Sequence, residues 1–303
     1  VESIIYFDGA FRPESEAVLS VRSRALNYGL GCFAGIRGYR TDDGSQVNVF
    51  RLDRHVRRLD HSTRILRLRL PGSPDDLAGL IVELLRRNQI RGDVYIRPLV
   101  YANSNDLSPI LDPDTSATAI YCLPLGRYLS SDAIDVCVSS WRRVRETAIP
   151  ARAKATAAYL NSALARREAM DHGYTEAILL TEEGHVSEGS AEHVVIVREG
   201  CLVSSPSTAD NLDGITRQSL IALAREDLGI SFVERPIGRA ELYVADEMFL
   251  CGTGAEITSV RSVDGRIVGD GNIGPITRQL SETFDAVVRG RVPAHSEWLT
   301  PVW

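Results

Sequence analysis

Residues 149–162 read IPARAKATAAYLNS, and Lys154 at their centre is the only lysine among the 34 basic side chains of this 303-residue chain. Arginine supplies charge and planar forks for anions, but its guanidinium stays protonated and cannot act as a primary amine. A lysine can lose its proton, attack a carbonyl and form a Schiff base. Two readings stand. Lys154 is the leftover cation of an arginine-biased chain, or it is a nucleophile set between the Ile149-Pro150 loop and a helix start rich in small residues. An amine held in a dry, ordered segment loses part of its preference for the charged form.

The segments on either side set the fold class. After the lysine come a helix over TAAYLNSALARREAMDHG closed by Gly173, the strand EAILL, and two glycine turns, EEGH and REGC. A helix opening at GITRQSLIALARED, strands through EMFLCGTGAEITSVRSVDGRIV and a last helix at TRQLSETFDAVVRG follow. Before the lysine, IIYFDGAFR reads as a hairpin around an Asp-Gly turn. LDRHVRRLDHSTRIL carries apolar residues at 52, 56, 59, 65 and 66, a helical stripe. A second helix spans 76–90, DVYIRPLVY and ATAIYCLPL are strands, and the two-proline stretch 103–115 is an exposed loop. Strands and helices mix without a βαβ rhythm, so the expected class is α+β. GRYLSSDA reads as a linker, giving a smaller domain over 1–125, a linker over 126–134 and a larger domain over 135–303 that holds the lysine.

Composition narrows the function. Apolar residues at 44% and charged residues at 24% describe a globular chain with a sizeable core. A net charge of −6 argues against a nucleic-acid partner. The five cysteines are odd in number and form no C-x-x-C pair, the usage of a reducing compartment, and the six histidines show no ligand spacing, so no metal is expected. No apolar run approaches the length of a membrane span, and a cytoplasmic location is the expectation.

Three further motifs suit a lysine that carries an aldehyde with a phosphate tail. LDGITRQSL places Gly-Ile-Thr at a helix start, where free N–H groups and a hydroxyl can cradle phosphate; many helix starts look the same and bind nothing. CGTGAEI is a small-residue turn of donors, or a plain turn between strands. In HVSEGSAEHVV, Glu188 is either a solvated turn residue or a carboxylate facing a protonated pyridine nitrogen, which would keep such a ring an electron sink.

Taken in order, ALNYGLGCFAGIR, FRLDRHVRRL, YIRPL, SSWRR, AKATAAYLNS, SEGSAEH, LDGITR, LYVADEMFLCGTGAEITSVRSVDG and EWL resemble the branched-chain amino acid aminotransferases, pyridoxal-phosphate enzymes of fold type IV. The resemblance runs from about residue 5 to the C-terminus. It implies an N-terminal α/β sandwich-like domain, a C-terminal pseudo-barrel domain, pyridoxal 5'-phosphate as cofactor, and a homodimer or larger homo-oligomer. By the same match Lys154 is the Schiff-base lysine and Glu188 the partner of the pyridine nitrogen. Tyr159 bonds the phenolic oxygen, Arg58 holds the phosphate with Ile215, Thr216 and Thr253, and Leu212 packs on the ring. For the substrate, Tyr95 and the backbone of Thr253, Gly254 and Ala255 match the groups on the α-carboxylate. Arg97, Tyr28 and Tyr128 match those on the distal carboxylate of glutamate. Phe33 and Gly35 match the lining of the apolar pocket, with Arg37 at its mouth.

The implied reaction transfers an amino group from a branched-chain amino acid to 2-oxoglutarate by a ping-pong route. Two departures bear on substrate range. Phe33-Ala34-Gly35 replaces the usual Phe-Glu-Gly, which is expected to leave Arg37 without its partner, and Gly-Thr-Gly-Ala replaces Gly-Thr-Ala-Ala. A D-amino acid or (R)-amine transaminase of the same fold is the alternative reading, with an aminodeoxychorismate-type lyase behind it.

Overall fold

The computed structural model describes residues 2–126 and 133–303. Its contacts divide the chain into two compact units, one of Val1–Gly126, Ala153–Ala157 and Ala286–Trp303, the other of Arg127–Arg152 and Ala158–Asp285.

The first unit opens with the expected hairpin, β1 (Ile4–Phe7) and β2 (Ala10–Pro13). Its turn needs positive φ at both central residues, which Asp8 (45°) and Gly9 (89°) adopt. A short helix α1 (Arg24–Tyr28), absent from the sequence reading, precedes β3 (Gly31–Phe33), β4 (Ile36–Arg40) and β5 (Val47–Phe50). Then come α2 (Leu52–Ile65), α3 (Pro74–Arg87), β6 (Val94–Ala102) and β7 (Ser116–Pro124). An eight-stranded sheet runs in the order Leu299–Pro301, β5, β4, β6, β7, β1, β2, with β3 paired to β6, and each of these pairings is antiparallel. The apolar stripe of α2 (Leu52, Val56, Leu59) and that of α3 (Leu77, Ile81, Leu84, Leu85) share one core with Val47, Val49, Ile96 and Ile120. The start of α3 falls two residues before the expected 76. Ser73 and Asp76 form a reciprocal cap and Pro74 occupies the first turn, where no N–H is needed.

The second unit carries a nine-stranded sheet. Its strands are β8 (Ala133–Arg142), β9 (Glu176–Leu180), β10 (Val186–Gly189), β11 (His193–Arg198), β12 (Cys201–Ser204), β13 (Phe232–Glu234), β14 (Glu247–Gly252), β15 (Glu256–Val263) and β16 (Arg266–Ile267). The order is β10-β9-β8-β15-β14-β11-β12-β13, with β16 on β15. Pairing is parallel at β8–β9, β8–β15 and β12–β13 and antiparallel elsewhere. Helix α4 (Tyr159–Asp171) lays Ala165 and Ala169 on Cys137, Ala177 and Leu179. The expected helix over 214–227 becomes α5 (Ile215–Ala222) followed by a π turn over Leu223–Asp227. The last helix, α6 (Pro275–Val288), has its first N–H groups capped by Glu247, whose carboxylate accepts from Ile276 (3.0 Å) and Thr277 (2.7 Å). The α+β class holds, each unit having its own sheet and its own apolar core.

Candidate active site

Lys154 belongs to the first unit, although the chain on either side of Ala153–Ala157 belongs to the second. Backbone bonds fix it there. The Phe33 N–H donates to Lys154 O (3.1 Å), Ala155 forms a β-bridge to Cys32, and the Thr156 hydroxyl reaches Gly29 O (2.5 Å) and Gly31 O (3.1 Å). The lysine's own N–H donates to Ser62 Oγ at 3.3 Å, and that hydroxyl donates to Arg58 O at 2.9 Å. One buried serine on α2 therefore ties the lysine's backbone to the helix that bears Arg58.

The amine sits 5.2 Å from the centre of the Phe33 ring, and the Arg97 guanidinium lies 4.3 Å from the same centre. Along β6 burial alternates: Val94 and Ile96 enter the core, and Tyr95 and Arg97 project from the other face half-buried. Arg97 donates to Tyr95 Oη through Nε (3.1 Å) and Nη2 (2.5 Å). Gly35 is needed beside them, because a Cβ there would lie 2.4 Å from Tyr95 Oη and 3.1 Å from its ring carbon. An amine, an apolar ring and a cation thus converge on one face of the first unit.

His55, Arg58 and Ser62 recur at helical spacing on α2. His55 is buried and its Nδ1 finds no hydrogen-bond partner. Burial first, then the charges of Arg58, Lys154 and Arg51, hold its pKa well below the ordinary histidine value. Three cations gathered about a neutral imidazole make a site that suits an anion. The donor set accordingly fits an aldehyde cofactor with a phosphate group, with Lys154 for the one and Arg58 for the other.

In the second unit Glu188 lies at a bulge in β10, 6% exposed. Its Oε1 pairs with Arg143 Nη2 at 2.8 Å and its Oε2 accepts from the Leu212 N–H at 3.2 Å. The solvated-turn alternative for Glu188 therefore falls. Nearby, Glu192 has its carboxyl pushed up to about 8 by burial and then by the charge of Glu176, with Glu188 contributing less. Gly214, at the head of α5, passes so near His193 that a Cβ would come within 2.1 Å of its Nε2. No side chain caps this helix, so the N–H groups at Ile215 and Thr216 point out of its first turn. Thr253, Gly254 and Ala255 form the turn between β14 and β15, and Tyr159 opens α4.

Of the expected substrate residues, Phe33, Gly35, Tyr95 and Arg97 come together. The Tyr28 hydroxyl donates to Leu107 O at 2.6 Å. Arg37 corrects an expectation. With Ala34 in place of a glutamate it still has partners: Nη2 donates to Leu125 O and Gly126 O, both at 3.0 Å, and the guanidinium lies 5.0 Å from the Tyr39 ring centre. Ala34 itself is 1% exposed within the apolar core. Tyr128 and most of the expected linker lie outside the described residues. Ser62, His55 and Arg143 were missed as functional candidates, although each stands in a motif quoted above or directly beside one. Among the described residues no cluster of His, Cys, Asp or Glu could hold a metal ion, and no helix is long and apolar enough to cross a membrane.

The amino-transferase class IV family model matches residues 31–263. A probable branched-chain-amino-acid aminotransferase of Aquifex aeolicus (strain VF5) is 43% identical over 299 residues, covering 98% of this chain and 96% of that protein. Among solved structures, the branched-chain aminotransferase of Thermoproteus uzoniensis with norvaline superposes with a TM-score of 0.95 at 42% identity, over 100% of both chains. The branched-chain amino acid aminotransferase of Thermobaculum terrenum in its PLP-form gives 0.94 at 39% identity, over 100% of this chain and 99% of that one.

Proposed function

This chain belongs to the class IV aminotransferases, and from that premise we propose that it moves the amino group of L-leucine, L-isoleucine or L-valine to 2-oxoglutarate in two alternating half-reactions. Pyridoxal 5'-phosphate is the cofactor, and when bound it supplies the electron sink that stabilises negative charge at the substrate Cα. Lys154 Nζ would hold the cofactor's aldehyde and, once free, would carry a proton at the substrate Cα. Glu188 holds the proton on the ring nitrogen, Tyr159 bonds the phenolic oxygen and Leu212 packs on the ring. Arg58, Ile215, Thr216 and Thr253 hold the phosphate.

One observation carries the substrate reading: Lys154 and Arg97 address the same Phe33 ring, at 5.2 and 4.3 Å. An aliphatic side chain can pack against that ring, and a distal carboxylate can meet the guanidinium that lies over it, so a single pocket serves both half-reactions. Tyr95 with the turn at Gly254 and Ala255 takes the α-carboxylate. Tyr28 and Tyr128 support Arg97 on the distal one, and Arg37 with Gly35 shapes the mouth. Because Ala34 points into the core and Arg37 keeps backbone partners, the departure from the family's glutamate gives the D-amino acid or (R)-amine reading no support from the geometry.

The deciding assay mixes holoenzyme with L-leucine, D-alanine or (R)-1-phenylethylamine and follows the near-visible band of the lysine-bound cofactor. L-leucine is expected to bleach it and 2-oxoglutarate to restore it. Faster bleaching by D-alanine or the (R)-amine overturns the proposal, and repeated turnover of aminodeoxychorismate to pyruvate with no 2-oxo acid acceptor points to the lyase.

Two organisational expectations belong to the same proposal. The family's two domains span 1–125 and 135–303 with the linker at 126–134, supported by the separate sheet and core on either side of it, while Ala153–Ala157 and Ala286–Trp303 make their contacts with the first unit. The working enzyme is a cytoplasmic homodimer or larger homo-oligomer. In support, Val18, Val21, Leu26, Leu107 and Ile110 are each more than half exposed on two segments joined by Tyr28 to Leu107 O and Arg22 to Asn105 O. Apolar side chains gathered so openly mark a covered surface.

A further inference from the structure

The SSWRR motif carries a residue that the roles above leave unused. Arg143 directly follows β8 and is 7% exposed. Its Nη2 meets Glu188 Oε1 at 2.8 Å, its Nε donates to Asp210 O at 3.2 Å, and its Nη1 donates to Ser162 Oγ at 3.5 Å. The fork is thus anchored on two other elements, and Glu188 receives one tooth of it. The carboxylate's second oxygen takes the Leu212 N–H, and a carboxylate has about four lone-pair directions, so room remains for one more donor.

Glu188 is buried; Glu192, its own carboxyl pushed up to about 8 by burial, precedes β11, and Glu176 of β9 stands behind Glu192 with Arg166 of α4 at 3.6 Å. Burial disfavours the charged form of a carboxylate unless a cation offsets it. A buried ion pair is also an expensive way to fill this space, since well-packed apolar side chains often serve stability equally well. The charge of Arg143 therefore calls for a functional reason.

We propose that Arg143 is a positioning residue that decides where the proton rests between Glu188 and the ring nitrogen of the cofactor. The inference rests on reading Glu188 as the partner of that nitrogen. With Arg143 at its back, the carboxylate is a weaker base than the nitrogen, and the shared proton stays on nitrogen. Without that positive charge the burial of the carboxylate is no longer offset, which makes it the stronger base. The proton then crosses to Glu188 and leaves a neutral ring beside a neutral acid. One proton moves along one hydrogen bond, and no electrons are exchanged. The consequence for the reaction is a weaker electron sink with the cofactor still seated.

The test loads the enzyme with pyridoxal phosphate labelled with nitrogen-15 in the ring and follows that nitrogen's chemical shift from pH 6 to 9. The parent is expected to stay protonated across the range. In R143Q and R143M, two neutral replacements of similar reach that guard against a folding failure of either, the nitrogen is expected to move toward the shift of an unprotonated ring. The division of the proton between the two sites should change by about 10- to 1,000-fold, the factor that corresponds to the one to three pH units by which an adjacent opposite charge moves a carboxyl group. R143K keeps a cation and is expected to restore most of the protonation. A folded neutral variant whose nitrogen titrates like the parent overturns the proposal, as does an R143K that behaves like R143Q. E188Q separates this inference from its premise. If E188Q leaves the nitrogen unchanged, the reading of Glu188 fails. If E188Q deprotonates it and the neutral Arg143 variants do not, only the role of Arg143 fails.

Discussion

Replacing Gly35 with alanine probes the pocket without removing any functional group from it. The added Cβ would lie 2.4 Å from Tyr95 Oη and 3.1 and 3.2 Å from two of its ring carbons, so the whole ring must swing, not the hydroxyl alone. That swing breaks the contacts from Arg97 Nε and Nη2 at 3.1 and 2.5 Å. A hydrogen bond to a charged group contributes about 1.5–3 kcal/mol, and each 1.4 kcal/mol is about tenfold. The expected loss in kcat/KM is therefore about 10- to 100-fold for L-leucine and for 2-oxoglutarate. Because Tyr95 is only half-buried, the thermal midpoint should move by no more than about 4 °C. Tyr95→Phe is the companion variant. It removes the hydroxyl with no added bulk, and if G35A acts through that hydroxyl the double variant should be little worse than either single one. Losses that simply multiply in the double variant, or a G35A enzyme with parental kcat/KM, would refute the reasoning.

Three further outcomes are expected. Lys154→Ala should abolish turnover and the near-visible cofactor band together, and a variant that keeps the band removes the lysine from its role. His55 has a folded pKa well below its unfolded value near 6.5, so below that pH the unfolded chain binds a proton that the folded chain does not. Stability should therefore fall as pH drops through 6.5, by about 1.4 kcal/mol per unit from this group, and His55→Gln should flatten that slope in denaturant titrations. Leu107, 84% exposed beside Ile110, should be covered by a second copy, so Leu107→Glu is expected to shift the light-scattering mass of the assembly toward the monomer without altering the melting of each unit.

The parts of the fold that were legible in the sequence are those set by local pattern. The stripe at 52, 56 and 59 made α2, the alternation along VYIRPLVY sent Val94 and Ile96 inward and Tyr95 and Arg97 outward, and Asp8-Gly9 made the hairpin. What stayed hidden depends on partners far along the chain. Ser62 looks like any helix serine, and its bond to the N–H of Lys154 crosses 92 positions. Its bond to the carbonyl one turn back is a common helical habit that would raise no flag. Arg143 was visible as part of SSWRR, but nothing in that motif says that its fork ends on Glu188. The π turn at Leu223–Asp227 and the backbone carbonyls that receive Arg37 left no periodic trace either.

The route of the chain has a consequence for biogenesis. The sheet of the first unit takes its edge strand from Leu299–Pro301, and the segment bearing Lys154 joins that unit only after residue 152. During synthesis a domain normally folds as soon as it clears the ribosome. Here the N-terminal portion must wait for nearly three hundred residues before its sheet edge is sealed. Gene fragments ending near 126 should therefore yield a sticky intermediate, and family members cannot swap these halves as independent cassettes.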